Sequence, residues 1–76
     1  MLFFFDLHDP DGLTTDENGV ELASAGHARR EAAKILAEIA LHQAHSSGGA
    51  MELRCTVRCD GAPLFSKRLL IEDLAH

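Results

Sequence analysis

The stretch MELRCTVRCDGAPLFSKRLLI, residues 51–71, alternates apolar and polar side chains as far as Cys59, turns at Asp60-Gly61, and continues in β-forming residues. Strict alternation has the period of a half-buried strand, which puts Leu53, Cys55, Val57 and Cys59 on one face. Glu52, Arg54, Thr56 and Arg58 take the other. An Asp-Gly pair between two such runs signals a tight hairpin, since both positions tolerate positive φ. The second run is less clear, because Lys67 and Arg68 interrupt its apolar residues and leave its register open. A hairpin with one apolar face needs a cover.

The preceding segment supplies one. From about Ala25 to His45, the residues Ala28, Ala32, Ile35, Leu36, Ile39 and Gln43 recur at helical spacing and form a stripe suited to a sheet. His27, Arg30, Glu31, Lys34, Glu38 and His45 form the solvated face. Ala33, Ala37, Ala40 and Ala44 lie between the two and widen the non-polar arc beyond the roughly 100° that one packed face requires. Ser24 is the expected N-cap, with His27 where a capping-box Glu would stand. Gly48 and Gly49 end the helix.

Upstream, LFFFDLH (residues 2–8) reads as a strand, with Phe3, Phe5 and Leu7 on one face and Phe4, Asp6 and His8 on the other. Asp9-Pro10-Asp11-Gly12 makes a turn, and Leu13-Thr14-Thr15 a short return strand. The expected architecture is therefore a single α+β domain over residues 1–76. A small antiparallel sheet of three to four strands, ordered β-(β)-α-β-β, carries one helix on one face.

A chain of 76 residues that is 46% hydrophobic holds one core. A domain of this size buries only about 60% of its unfolded surface, so self-association is expected. No apolar run approaches the ~20 residues of a membrane span, and the first residues lack a basic start and a cleavage site. A cytoplasmic, unprocessed protein without membrane contact is expected. The first 24 residues hold six carboxylates and no Lys or Arg, which disfavours a phosphate backbone.

The acidic stretch DENGVEL, residues 16–22, raises the possibility of a cation loop. Aligning Gly19 with the glycine of an EF-hand puts Asp16 and Asn18 at ligand positions but Thr14 and Ala25 at the first and last, so two essential ligands are missing. An Asx turn, with Asp16 accepting backbone N–H groups, explains the same residues. Cys55 and Cys59 lie about 13 Å apart on a strand, too far for a disulfide or a shared zinc. Both are expected in the core. Glu38, His42 and His45 share neighbouring ridges of the helix and are the best metal candidates, but histidines near a helix C-terminus are favoured by its dipole without any ion. No metal or other cofactor is expected. Asp6 and His8 could pair as acid and base only if a pocket existed, and ion pairing of Asp6 with Arg54 or Arg58 is the simpler role.

Phe3 to Phe5, the D-x-x-G-x-x-L pattern at Asp16, Gly19 and Leu22, the run ARREAA at Ala28 to Ala33, and the Asp60-Gly61 hairpin together resemble a family of short bacterial proteins known only as a domain of unknown function. The resemblance covers nearly the whole chain and implies a fold without catalytic residues. Lys67 and Arg68 depart from it, standing where apolar residues are typical.

These features point to a non-enzymatic interaction module that forms a homodimer. Two surfaces are offered for contact: Phe4, Asp6, His8, Arg54 and Arg58 on the uncovered sheet face, and Ala33, Ala37, Ala40 and Ala44 on the helix. One alternative is a nucleic-acid-binding or antitoxin-like regulator, with Arg54, Arg58, Lys67 and Arg68 as a basic patch. A helix-borne metal site is another.

Overall fold

The computed structural model describes residues 1–43 and 50–76. Strand β1 (Leu2–Asp9) is followed by β2 (Gly12–Thr14), β3 (Val20–Glu21), helix α1 (Ala25–Gln43), β4 (Met51–Cys59) and β5 (Ala62–Ile71). All pairings are antiparallel, in the order β2-β1-β4-β5, and β3 joins β1 beyond the end of β2. The expected α+β class and element order are met. The sheet has five strands rather than three or four, because Val20 and Glu21 pair with Phe3 and Leu2. A two-residue ladder is too short to leave a period in the sequence.

Alternation along β1 and β4 places Phe3, Phe5, Met51, Leu53, Cys55 and Val57 under the helix, all buried. The helix answers with Ala28, Ala32, Leu36 and Ala40. Most of the large side chains thus come from the sheet and, apart from Leu36, small ones from the helix, which lets the two layers approach closely. Ala40, expected on an outer strip, is only 6% exposed and belongs to this core. It follows Ala28, Ala32 and Leu36 in one i+4 row, whereas Ala33 and Ala37 are one position out of phase and exposed.

Ser24 caps α1, its hydroxyl accepting the His27 N–H at 3.3 Å and its carbonyl the Ala28 N–H at 3.1 Å. The His27 ring completes the cap through Nδ1, 2.8 Å from Ser24 Oγ. At the other end, Gln43 Nε2 donates to Asp9 Oδ2 at 3.3 Å. The Arg29 guanidinium lies 4.4 Å from the centre of the Phe65 ring. The helix therefore runs diagonally, from β5 near its first turn to β1 near its last.

The hairpin between β4 and β5 has Asp60 at φ 55° and Gly61 at φ 79°, the two consecutive positive values of a type I′ turn. Val57 faces Phe65 but Arg58 faces Pro63, so Leu64 is an extra residue and the pair is bulged. That bulge sets the register the sequence left open. Phe65, Lys67, Leu69 and Ile71 fall on the helix side, opposite Val57, Cys55, Leu53 and Met51, and Ser66, Arg68 and Leu70 fall on the other. Lys67 is tolerated there because β5 is an edge strand, where a long stem can lie on the core with its ammonium in water.

Candidate functional site

The uncovered sheet face carries the densest polar arrangement. On the edge of β1 away from β4, between its pairings with β3 and β2, no strand covers Phe4 to Asp6. Asp16 fills the gap. Its Oδ2 accepts the Phe5 N–H at 3.1 Å, and its Oδ1 accepts those of Asn18 and Gly19 at 3.0 and 3.1 Å. The Asx turn expected from the sequence is present, and it also finishes the edge of β1. Gly19 has φ 76°, and a Cβ there would sit 3.0 Å from both Leu2 and Phe4 side-chain atoms, so a larger residue meets a steric and a conformational obstacle.

Asp6 locks this loop to β4. Arg58 Nε donates to Asp6 Oδ2 at 2.6 Å, and its Nη2 donates to Asp6 Oδ1 at 3.1 Å and to the Asp16 carbonyl at 2.9 Å. The Asp16 N–H donates to Asp6 Oδ1 at 3.0 Å. The ion-paired side chains are 13% exposed for Asp6 and 28% for Arg58, enough shielding to make the fork-to-carboxylate geometry count. The Arg58 guanidinium holds the Asp6 carboxyl below its ordinary range, an effect larger than the opposing desolvation. Burial pushes Asp16 up, but the N–H groups of Gly19, Phe5 and Asn18 outweigh it and the net shift is downward. Arg58 is shifted further up by Asp6. Every carboxylate oxygen of this pair accepts a hydrogen bond, which makes both poor bases and poor metal ligands.

These contacts change the expected docking surface. Phe4 is half-buried beneath Arg58, whose guanidinium carbon lies 4.8 Å from the ring centre, and against Gly19. Its ring is covered within the chain. The proposed basic patch does not assemble, because Lys67 lies on the helix side and Arg58 is bound to Asp6. Arg54 and Arg68 remain as cross-strand neighbours, with Glu52 3.4 Å from Arg54. His8 is exposed, and with Asp9, Pro10, Glu52 and Arg54 it lines a shallow hollow of about 310 Å³.

On the helix, Ala33, Ala37, Glu38 and His42 are exposed, whereas Ala44 and His45 lie outside the described residues. Among the described residues no three His, Cys, Asp or Glu side chains converge as a metal site requires. Nor does any described helix have the length and apolarity to cross a membrane.

Both thiols are free. Cys55 is buried, and desolvation together with the negative charges of Asp6 and Asp16 pushes its pKa from 9.0 to about 11. Cys59 was expected in the core but is only half-buried at the last position of β4. We expect a bulky maleimide at neutral pH to label Cys59 first, with Cys55 much slower because it is buried and its thiolate is disfavoured. Peptide mapping after short exposure checks this, and equal labelling would contradict the burial of Cys55.

The profile of a family described as a domain of unknown function (DUF6894) matches residues 2–70. The chain belongs to this family. No curated protein and no solved structure matches. The match to DUF6894 runs from the first residue of β1 almost to the end of β5, so it spans the sheet, the helix and the Asp6–Asp16–Arg58 lock together. The aspartate and glycine of the D-x-x-G pattern have structural work in this chain, closing one sheet edge.

Sequence reasoning missed the apolar side chains that the fold leaves in solvent. Leu70 is 55% exposed and Leu74 71%, with Leu41, Leu64 and Ile71 also exposed. For those after residue 61 the signal was an excess of leucine in the last fifteen residues, more than one face of an edge strand can bury.

Proposed function

We propose that this domain is a non-enzymatic protein-interaction module of the cytoplasm that works as a homodimer. The observation that carries the reading is the set of exposed apolar side chains on and after β5, on a strand that has a neighbour on one side only. A second copy would take this surface out of water at about 25 cal/mol per Å². The saturated carboxylates of Asp6 and Asp16 support a structural rather than a catalytic role.

Sedimentation across a wide concentration range tests it. The mass is expected to rise from 8.3 kDa towards twice that value. A mass fixed at the monomer value at every concentration would defeat the proposal. A salt titration with generic duplex and single-stranded DNA tests the nucleic-acid alternative, which requires binding that falls steeply with salt.

A further inference from the structure

Strand β5 is an edge of the sheet, and near its end Leu69 is half-buried against the core while Leu70 and Ile71 are exposed. The diagonal of α1 leads from Phe65 across to Asp9 on β1, so at the level of Leu69 and Ile71 the helix has moved sideways off β5. On the opposite side Leu70 is more than half exposed. Among the described residues Lys67, Arg68, Glu72 and Asp73 make no ion pair. An uncovered edge bearing leucines is a liability unless something occupies it.

The sequence of that edge, taken with Glu72 and Asp73 just beyond the end of β5, is complementary to itself. Written antiparallel about Leu70, the run Lys67-Arg68-Leu69-Leu70-Ile71-Glu72-Asp73 sets Lys67 against Asp73, Arg68 against Glu72 and Leu69 against Ile71. We infer that two copies of this chain pair edge to edge through residues 67–73, with the two-fold axis at Leu70, joining two sheets into one. This assigns an interface to the self-association proposed above and rests on it.

Several observations favour a second copy over an unrelated strand. Directly opposed residues of an antiparallel pair share a face. Lys67 and Ile71 lie on the helix side and Arg68 and Leu70 on the other, so continuing the alternation puts Asp73 with Lys67 and Glu72 with Arg68. Moving the axis to Leu69 or to Ile71 turns Asp73 towards Phe65 or Leu69 and Arg68 towards a leucine. Axes at Lys67 or Arg68 oppose like charges. Only the Leu70 register satisfies all four charges while pairing apolar with apolar. Lysine and arginine on an edge repel indiscriminate pairing, and here they admit a partner with carboxylates at the matching positions. An isologous contact of this kind closes at two subunits. Seven residues a side fall short of the roughly 20–30 of a standard interface, so the dimer is expected to be concentration-dependent.

A charge-swap experiment decides the matter. One variant carries Lys67→Glu and Arg68→Glu, and the other Glu72→Lys and Asp73→Lys. Each alone opposes like charges in the inferred register and should dissociate at least about tenfold more readily than wild type, whereas their equimolar mixture, with all four contacts restored, should associate at least as well as wild type. Recovery in the mixture shows that both variants are folded, and circular dichroism of each alone checks it. If wild type dimerises but the variants dimerise equally well, or the mixture fails to associate while both are folded, the edge register is wrong and self-association through another surface stands. If wild type remains monomeric throughout, both the register and the dimer are overturned.

Discussion

Replacing Asp16 with alanine is expected to lower the stability of the domain by roughly 2–3 kcal/mol, a fall of about 10–20 °C in melting temperature for a chain of this length. The substitution deprives the Phe5, Asn18 and Gly19 N–H groups of their acceptor, and Phe5 N–H lies on the outer edge of β1, where neither β2 nor β3 reaches to replace it. Asp16→Asn keeps an acceptor oxygen and should recover a good part of the loss. The carboxylates also make the lock sensitive to acid. Folding lowers the pKa of both Asp6 and Asp16 from an ordinary 3.8, so their contribution is complete above that value and drains away as pH falls through the lower folded values. The acid limb of a stability profile should flatten in Asp16→Ala. An Asp16→Ala protein that melts with wild type would mean that water satisfies the loop as well as the carboxylate does.

Phe3→Ala is expected to be more severe, at about 3–5 kcal/mol, which approaches the whole stability of a small domain. Phe3 is fully buried beneath the helix, and small alanines on the facing surface cannot move in to fill the space. Its neighbour gives the control. Phe4 lies on the opposite face under Arg58 and Gly19, where water replaces a lost ring, and Phe4→Ala should cost less than half as much. Urea unfolding of the two variants measures the difference. Equal losses would show that the two faces of β1 are equally well packed.

Much of this arrangement was legible in the sequence because contrast was present. Phe3, Asp6 and His8 in β1, and Leu53, Arg54 and Cys55 in β4, alternate between kinds of side chain that belong in different solvents, and each landed on the face its period required. Asp16 and Gly19 were readable for a different reason, since one side-chain acceptor and one permissive backbone define an Asx turn locally. Where contrast vanished the reading failed. Ala33, Ala37 and Ala40 are chemically identical, and only the phase of the helix against the sheet decides that Ala40 is buried and the others are not. In β5 the single extra residue at Leu64 reverses the alternation, and no propensity announces a bulge. The Arg58 contact with Asp6 was foreseen as a possibility because the charges were there, but the carbonyl of Asp16 as a third partner depends on a loop path that only the fold supplies.

The Asp16 turn has a consequence for stoichiometry. A sheet with two live edges can add neighbours on both sides, and repeated addition makes a fibre; a sheet with one can be joined only once. In this domain β2 and β3 are three and two residues long, and the loop held by Asp6, Asp16 and Arg58 occupies the gap between them. That side offers at most three consecutive residues to extend, and among the described residues β5 is left as the only long edge. The lock thus acts as a chain terminator: by capping growth on one flank, it sets a ceiling of two sheets on any assembly that proceeds strand by strand.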